Sequence, residues 1–410
     1  MTAKESVPRS HISGPEEGSL HLQKETSLFI EILSDHLNKR VTSRPAEDVD
    51  WNSLYRLAQD HQVAGIVYYQ CRDFIPKEYI APFEKRYSAE LFYYSNRLKE
   101  TERIRKAFRE AGIQFYTVKG MDAARFYPLP PLRTMGDSDF IVSDLPAAIH
   151  VMRKLGFQGE QEENVHEWSC ERNGLPVELH DVLIKHDEKS TKKQLRFFRD
   201  LMPYVKDNTL DWNYHFLFMI AHLRKHFLFS GVGIRQFMDI AVLIKDGPEL
   251  DWKWIEKKLG ELEMRRFAHA CYSLIEYWFG IIPPVPFKRS GDPEEMTEKI
   301  IGNGVFGEAD PDNKKNWVRN FLIMEKRPGW VNRIVLLKKD FFPGYDFMVA
   351  YPGCGFLENR KYLLPFAWIV RFVRLIRSGE HKKAVHTIRA ALLSRRELKK
   401  HSERIKKMGL

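Results

Sequence analysis

With 410 residues and 43% hydrophobic side chains, the chain is long enough to bury a large core and to hold two or three domains. It has no apolar run of about 18 residues, which argues against a transmembrane helix, and its start lacks an apolar signal segment. The net charge of +10 is concentrated: residues 359–410 hold fifteen Lys/Arg against three Asp/Glu, a balance of +12, so the other 358 residues sum to −2. The basic character therefore belongs to the C-terminal end, which weakens any case for nucleic acid in the centre of the chain. Cys71, Cys170, Cys271 and Cys354 lie far apart without metal-ligand spacing and read as reduced thiols of a cytoplasmic protein.

Taken in order, residues 1–20 are polar, contain Pro8, Gly14 and Pro15, and read as a disordered tail. Helical patterns follow at Leu28–Leu37, Trp51–Tyr69 and Phe83–Ala111, so residues 21–100 form a helical lead-in. The period then changes. Gly112 ends the helix, and Ile113–Val118 reads as a strand closed by Lys119-Gly120. A short helix over 121–127 is broken by Pro128, Pro130 and Pro131. Asp137–Val142 is the next strand, and Asp144 caps a helix to Leu155 with Pro146 in its first turn. Val165–Glu171 and Pro176–Ile184 form a hairpin around Asn173-Gly174. From Asp187 the chain is helical again, most clearly at Tyr214–Phe229, Gln236–Lys245, Trp252–Leu259 and Arg266–Phe279. Pro283, Pro284 and Pro286 mark a boundary, 286–357 reads as a linker and irregular region, and 358–410 as a basic helical end. The fold class is α+β: a small mixed sheet at 101–185 flanked by helical regions, with 186–285 completing the cleft.

The chemistry concentrates in 118–182. Asp137 and Asp139 stand two apart at a strand start, so period two points both the same way. Adjacent carboxylates repel unless a cation separates them, and Mg²⁺ or Mn²⁺ takes such oxygen ligands. On the later strand Glu178 and His180 share one face, and the apolar neighbours Val177, Leu179 and Val182 half-bury Glu178. A buried carboxylate needs a partner or a metal, which makes Glu178 a metal ligand or general base. His180 is suited to orient Glu178, to touch an acceptor, or to sit as a satisfied core histidine. Gly120 lets backbone approach a phosphate, Lys119 beside it can contact one, and Arg133 in the proline-rich loop can neutralise phosphate or the acid cluster. Three acids beside such a glycine are the plan of a metal-dependent phosphoryl or nucleotidyl transferase. His222 and His226 share a helix face, but Leu223 stands where a zincin carries glutamate, so zinc is not indicated. Arg235 and Asp239, also one turn apart, are placed to form an ion pair within their helix.

Lys119-Gly120, Tyr127-Pro128, Arg133, Asp137-Ser138-Asp139 and Glu178-Leu179-His180 together resemble the uncharacterised nucleotidyltransferase family of the DNA polymerase β-like superfamily. The likeness continues through His222-Leu223-Arg224-Lys225-His226 and Gly233–Ile240, and spans roughly 27–280. One departure is visible: the superfamily usually has Gly-Gly or Gly-Ser at the phosphate turn, where this chain has Lys119-Gly120. The resemblance implies Asp137, Asp139 and Glu178 as catalytic metal ligands. It implies a nucleotide cleft lined by Lys119, Gly120, Arg133, His180, His222, Lys225, His226, Arg235 and Asp239. The implied reaction is transfer of a nucleotidyl group from an NTP to an acceptor (small molecule, protein or RNA) with release of pyrophosphate. The alternative is a non-catalytic nucleotide-binding or membrane- or RNA-associated protein on the same fold. The tail 359–410 is suited to an anionic membrane surface or RNA, and Tyr362–Arg377, with Phe366, Trp368 and Phe372, can lie on a membrane or equally pack on the catalytic domain with its arginines in water, leaving the protein cytoplasmic or peripheral.

Overall fold

The structure is a computed structural model that describes residues 15–45, 48–159, 167–183, 191–199, 201–206, 209–229, 231–289, 292–304, 342–349, 353–357 and 360–377. Helix α1 (Pro15–Leu37) starts well before the expected Leu28, because Pro15 opens it and Glu16 and Glu17 follow in the first turn. The tail expected to be disordered to residue 20 is thus helical from 15; residues 1–14 lie outside the described residues. The pattern expected as one helix over Trp51–Tyr69 is two, α2 (Trp51–Asp60) and α3 (Ala64–Cys71). They are split at His61-Gln62, where Gln62 takes a left-handed φ of 56°. Helix α4 (Lys77–Glu110) is single and long, with Pro82 near its start. Next come β1 (Phe115–Val118), α5 (Gly120–Ala124), a 3₁₀ turn at Pro130–Leu132, β2 (Ser138–Val142) and α6 (Leu145–Lys154). The α6 cap is the expected one: the Ala147 amide donates to Asp144 Oδ1 at 2.9 Å.

Strands β3 (Glu167–Arg172) and β4 (Leu175–His180) form the expected hairpin, turned by Asn173 (φ 53°) and Gly174 (φ 71°). The four-stranded sheet has the order β1-β2-β4-β3. β2 runs antiparallel to β1 and parallel to β4, so the mixed sheet and the α+β class are as expected. The register places Asp139 directly opposite Glu178 and Ile141 opposite His180. One sheet face packs Phe115, Phe140, Trp168, Val177 and Leu179 against Ile104 and Phe108 of α4 and Met152 of α6.

The remaining elements are α7 (Lys192–Arg199), a two-stranded ribbon of β5 (Val205–Lys206) and β6 (Thr209–Leu210), α8 (Trp212–Phe229), α9 (Ile234–Lys245), α10 (Trp252–Glu261), α11 (Arg265–Phe279), α12 (Pro293–Asn303), α13 (Tyr345–Val349) and α14 (Leu364–Arg377). The ribbon has no counterpart in the predicted elements, since two-residue strands leave no readable period. One large core joins α1–α3 to α8–α12 and reaches the sheet through Tyr116, Val118 and Ile141. The helical lead-in and the later helical region are therefore built together rather than as separate layers. Helix α12 corrects the reading of 286–357 as linker over Pro293–Asn303; residues 305–341 lie outside the described residues. Asp292 caps it, Pro293 opens it, and Met296, Ile300 and Ile301 bury into the core. The Trp278 indole donates to Thr297 Oγ1 at 2.7 Å, which anchors it on α11. All four cysteines are buried, and no disulfide joins them. No described helix is long and apolar enough to cross a membrane. Residues 378–410, most of the basic tail, lie outside the described residues.

Candidate functional site

The site begins at the turn from β1 into α5. Lys119 takes φ 64° and ψ −126°, a backbone conformation open to glycine and strained for a lysine. His215 of α8 holds it: the Lys119 amide donates to His215 Nε2 at 2.9 Å. Burial lowers the His215 pKa to about 3, so its ring is neutral and can accept that bond. The next residue must be small. A Cβ on Gly120 would stand 2.1 Å from an Arg133 guanidinium nitrogen.

Parity places the carboxylates. Asp139 on β2 and Glu178 on β4 sit opposite each other, with His180 two residues on from Glu178 and on the same face. One ligand atom from each of Asp139, Glu178 and His180 lies within 4.8 Å of the others. Asp137 precedes β2 rather than joining it, and lines the same cavity without entering that close trio. His180 Nε2 lies between the two carboxylates, 3.4 Å from Asp139 Oδ1 and 3.3 Å from Glu178 Oε2. The Lys119 ammonium reaches Asp139 Oδ1 at 2.5 Å.

These charges shape one another. Burial alone would push the Asp139 carboxyl up; the adjacent Lys119 ammonium and His180 ring outweigh it and hold the group below the usual carboxylate value. The His180 imidazole beside Glu178 likewise holds that carboxyl low against its burial. Asp137 lacks such a partner. Burial, then repulsion from Asp139 and Glu178, raises its pKa. Three carboxylates thus share the site with the Lys119 ammonium and with His180, whose pKa Asp139 and Glu178 raise against its burial. Asp139 and Glu178, with Asp137 at the edge and the His180 ring between them, form a donor set that a hard divalent cation fits.

One cavity of about 370 Å³ gathers all of these groups. Asp137, Asp139, Glu178 and His180 line one side with Lys119 and Gly120; His222, Lys225 and His226 of α8 and Arg235 and Asp239 of α9 line another, and Arg133 joins them. Every residue proposed from sequence for the site therefore borders this space. His222 is held neutral by burial, with the nearby Lys119 charge adding to the effect, and its ring packs on His226 at 4.3 Å.

The floor differs in detail from the helix-face reading. Asp239 forms its ion pair with Arg133 rather than within its own helix. Arg133 Nε donates to Oδ1 at 3.1 Å, a terminal nitrogen donates to Oδ2 at 2.6 Å, and the Tyr127 hydroxyl donates to Oδ1 at 2.8 Å. Arg235 turns instead to the Thr134 carbonyl. The Arg133 fork, expected to face phosphate, is thereby largely engaged at the cavity floor. Sequence reasoning also missed the supports. Arg97 of α4 donates to the Gly136 carbonyl at 2.6 Å and to Ser138 Oγ at 2.8 Å, which positions the Asp137 loop. Neither Arg97 nor His215 carries a local signal; each reaches the site from a distant part of the chain.

The comparisons with known proteins accord with this geometry. No curated protein and no solved structure matches the chain. A family model described as "Uncharacterised nucleotidyltransferase" matches residues 47–280. That span is more than half of the chain and runs from α2 through α11. It encloses every wall of the cavity and the paired carboxylates at its base, and on that match the chain belongs to the uncharacterised nucleotidyltransferase family.

Proposed function

We propose that this protein transfers a nucleotidyl group from a nucleoside triphosphate to an acceptor hydroxyl or phosphate, with release of pyrophosphate and dependence on Mg²⁺ or Mn²⁺. The observation that carries the reading is Asp139 set against Glu178 across parallel strands, with the His180 ring between them, in a cavity that also holds the Lys119-Gly120 turn. Asp139 and Glu178, with Asp137 at the edge, would hold the cation. Bound there, it would neutralise phosphate charge and acidify the attacking hydroxyl.

The chain's own groups supply the rest. The Lys119 ammonium, now on Asp139, is within reach of a phosphate placed beside that carboxylate and balances charge on the leaving pyrophosphate. Gly120 leaves room for close backbone approach, and the Arg133 side chain keeps a positive charge at the cavity floor. Glu178, or a water it orients, takes the acceptor proton as the oxygen–phosphorus bond forms and the bridging α–β bond breaks. Neutral His222, packed on His226, forms part of the opposite wall beside the nucleotide. The test incubates the full chain with each NTP, Mg²⁺ or Mn²⁺ and pools of small molecules, proteins or RNA, and reads mass gain by mass spectrometry. Nucleotidylated product with the wild type and none with Asp139→Asn supports the reading. Nucleotide binding with no product from any pool, the same for both proteins, points to the non-catalytic alternative.

A further inference from the structure

The C-terminal helix α14 carries an exposed apolar face. Tyr362, in the turn that leads into the helix, and Phe366, Ile369 and Val373 along it are 75%, 61%, 59% and 44% exposed. At 3.6 residues per turn these positions fall within an arc of about 60°. The opposite face is occupied. Ala367 is fully buried with Met348, Cys354 and Leu357, and the Trp368 indole donates to the Pro343 carbonyl at 2.9 Å. Trp368 and Phe372 both pack on Phe342, so of the aromatics expected to meet a membrane only Phe366 faces outward. Large side chains exposed in line on one helix face are not what a water-soluble surface requires.

We propose that α14 is a membrane-surface helix whose Tyr362, Phe366, Ile369 and Val373 stripe enters the headgroup region of an anionic bilayer. Charge selects this occupant. Residues 360–379 contain five Lys/Arg and no Asp/Glu, and the 33 residues after Arg377 hold ten Lys/Arg against three Asp/Glu. A purely apolar protein partner makes no use of that charge, and RNA would leave the stripe in water. An anionic lipid surface satisfies both together. The helix, about 21 Å long, is too short to span a bilayer and lies along it. The inference is independent of the transferase reading, since it uses no residue of the cavity.

The experiment is co-sedimentation of the full chain with vesicles of phosphatidylcholine alone and of phosphatidylcholine mixed with phosphatidylserine. Binding is expected to be much stronger to the mixed vesicles, with a fraction persisting at high salt because the apolar contact is not screened. Phe366→Ser with Ile369→Ser should lower the partition by at least about tenfold, and both side chains already face water, so the melting temperature should stay unchanged. Conversion of a wild-type dimer to a monomer by the same changes, read by light scattering, would identify the stripe as a self-association surface and overturn the proposal. So would salt-sensitive RNA binding without vesicle binding, or equal vesicle binding by the variant.

Discussion

Arg133 and Asp239 offer the sharpest test of how the cavity is built. Both side chains are under a tenth exposed, and the fork of one meets both oxygens of the other. Removing one member of such a pair strands a buried charge, which costs about 3–5 kcal/mol. Asp239→Asn and Arg133→Met should each destabilise by roughly 3 kcal/mol. The Tyr127 bond to Asp239 survives in the arginine variant and places it near the lower end. In the double variant neither member of the pair is left as a stranded charge, so its cost should fall short of the sum of the singles by at least about 1.5 kcal/mol. Urea unfolding followed by tryptophan fluorescence gives all four free energies. Singles that add to within about 0.5 kcal/mol would show that the two residues do not act as a pair. A further variant tests the role of Arg133 toward phosphate. Arg133→Ala should weaken NTP binding in calorimetry more than it weakens Mn²⁺ binding, and more than Asp239→Asn does. Unchanged NTP affinity would restrict Arg133 to the floor.

Three further outcomes follow from the same geometry. Gly120→Ala drives a methyl group into a guanidinium that Asp239 holds in place, and should cost about 2 kcal/mol in urea unfolding; a cost near zero would mean that the Arg133 side chain moves freely. Glu90 is buried against Gly65 with one oxygen unpartnered, and burial lifts its pKa from 4.5 to about 7. Between those pH values the unfolded chain has released the proton and the folded chain has not, so stability falls as pH rises through that window and stays lower above it. Glu90→Gln should remove this slope and gain up to ~3 kcal/mol at neutral to mildly alkaline pH, read by thermal or urea melts; an unchanged slope would place the titration elsewhere. Asp139→Asn and Glu178→Gln should each lower Mn²⁺ affinity by at least about tenfold, measured by electron paramagnetic resonance on the folded protein; unchanged affinity would move the cation site off this pair.

The sequence alone determined the parts whose signal is local. Strand periodicity places Glu178 and His180 on one face, Asn173-Gly174 turns the β3–β4 hairpin, and Asp144 caps α6, because each depends on residues a few positions apart. The same locality made the carboxylates and Lys119-Gly120 legible as a site before any fold was known. Capping signals were as readable at Asp292-Pro293 and Pro15, but proline and charge density there also suit a linker or a tail, and only burial of Met296, Ile300 and Ile301 separates the two. Tertiary structure decided what joins across long separations. Asp239 chose Arg133 over its helix neighbour Arg235, His215 came to the Lys119 amide, and Arg97 came to the Asp137 loop. In each case a buried polar group takes the partner that the packed chain brings near, and sequence spacing carries no record of that choice.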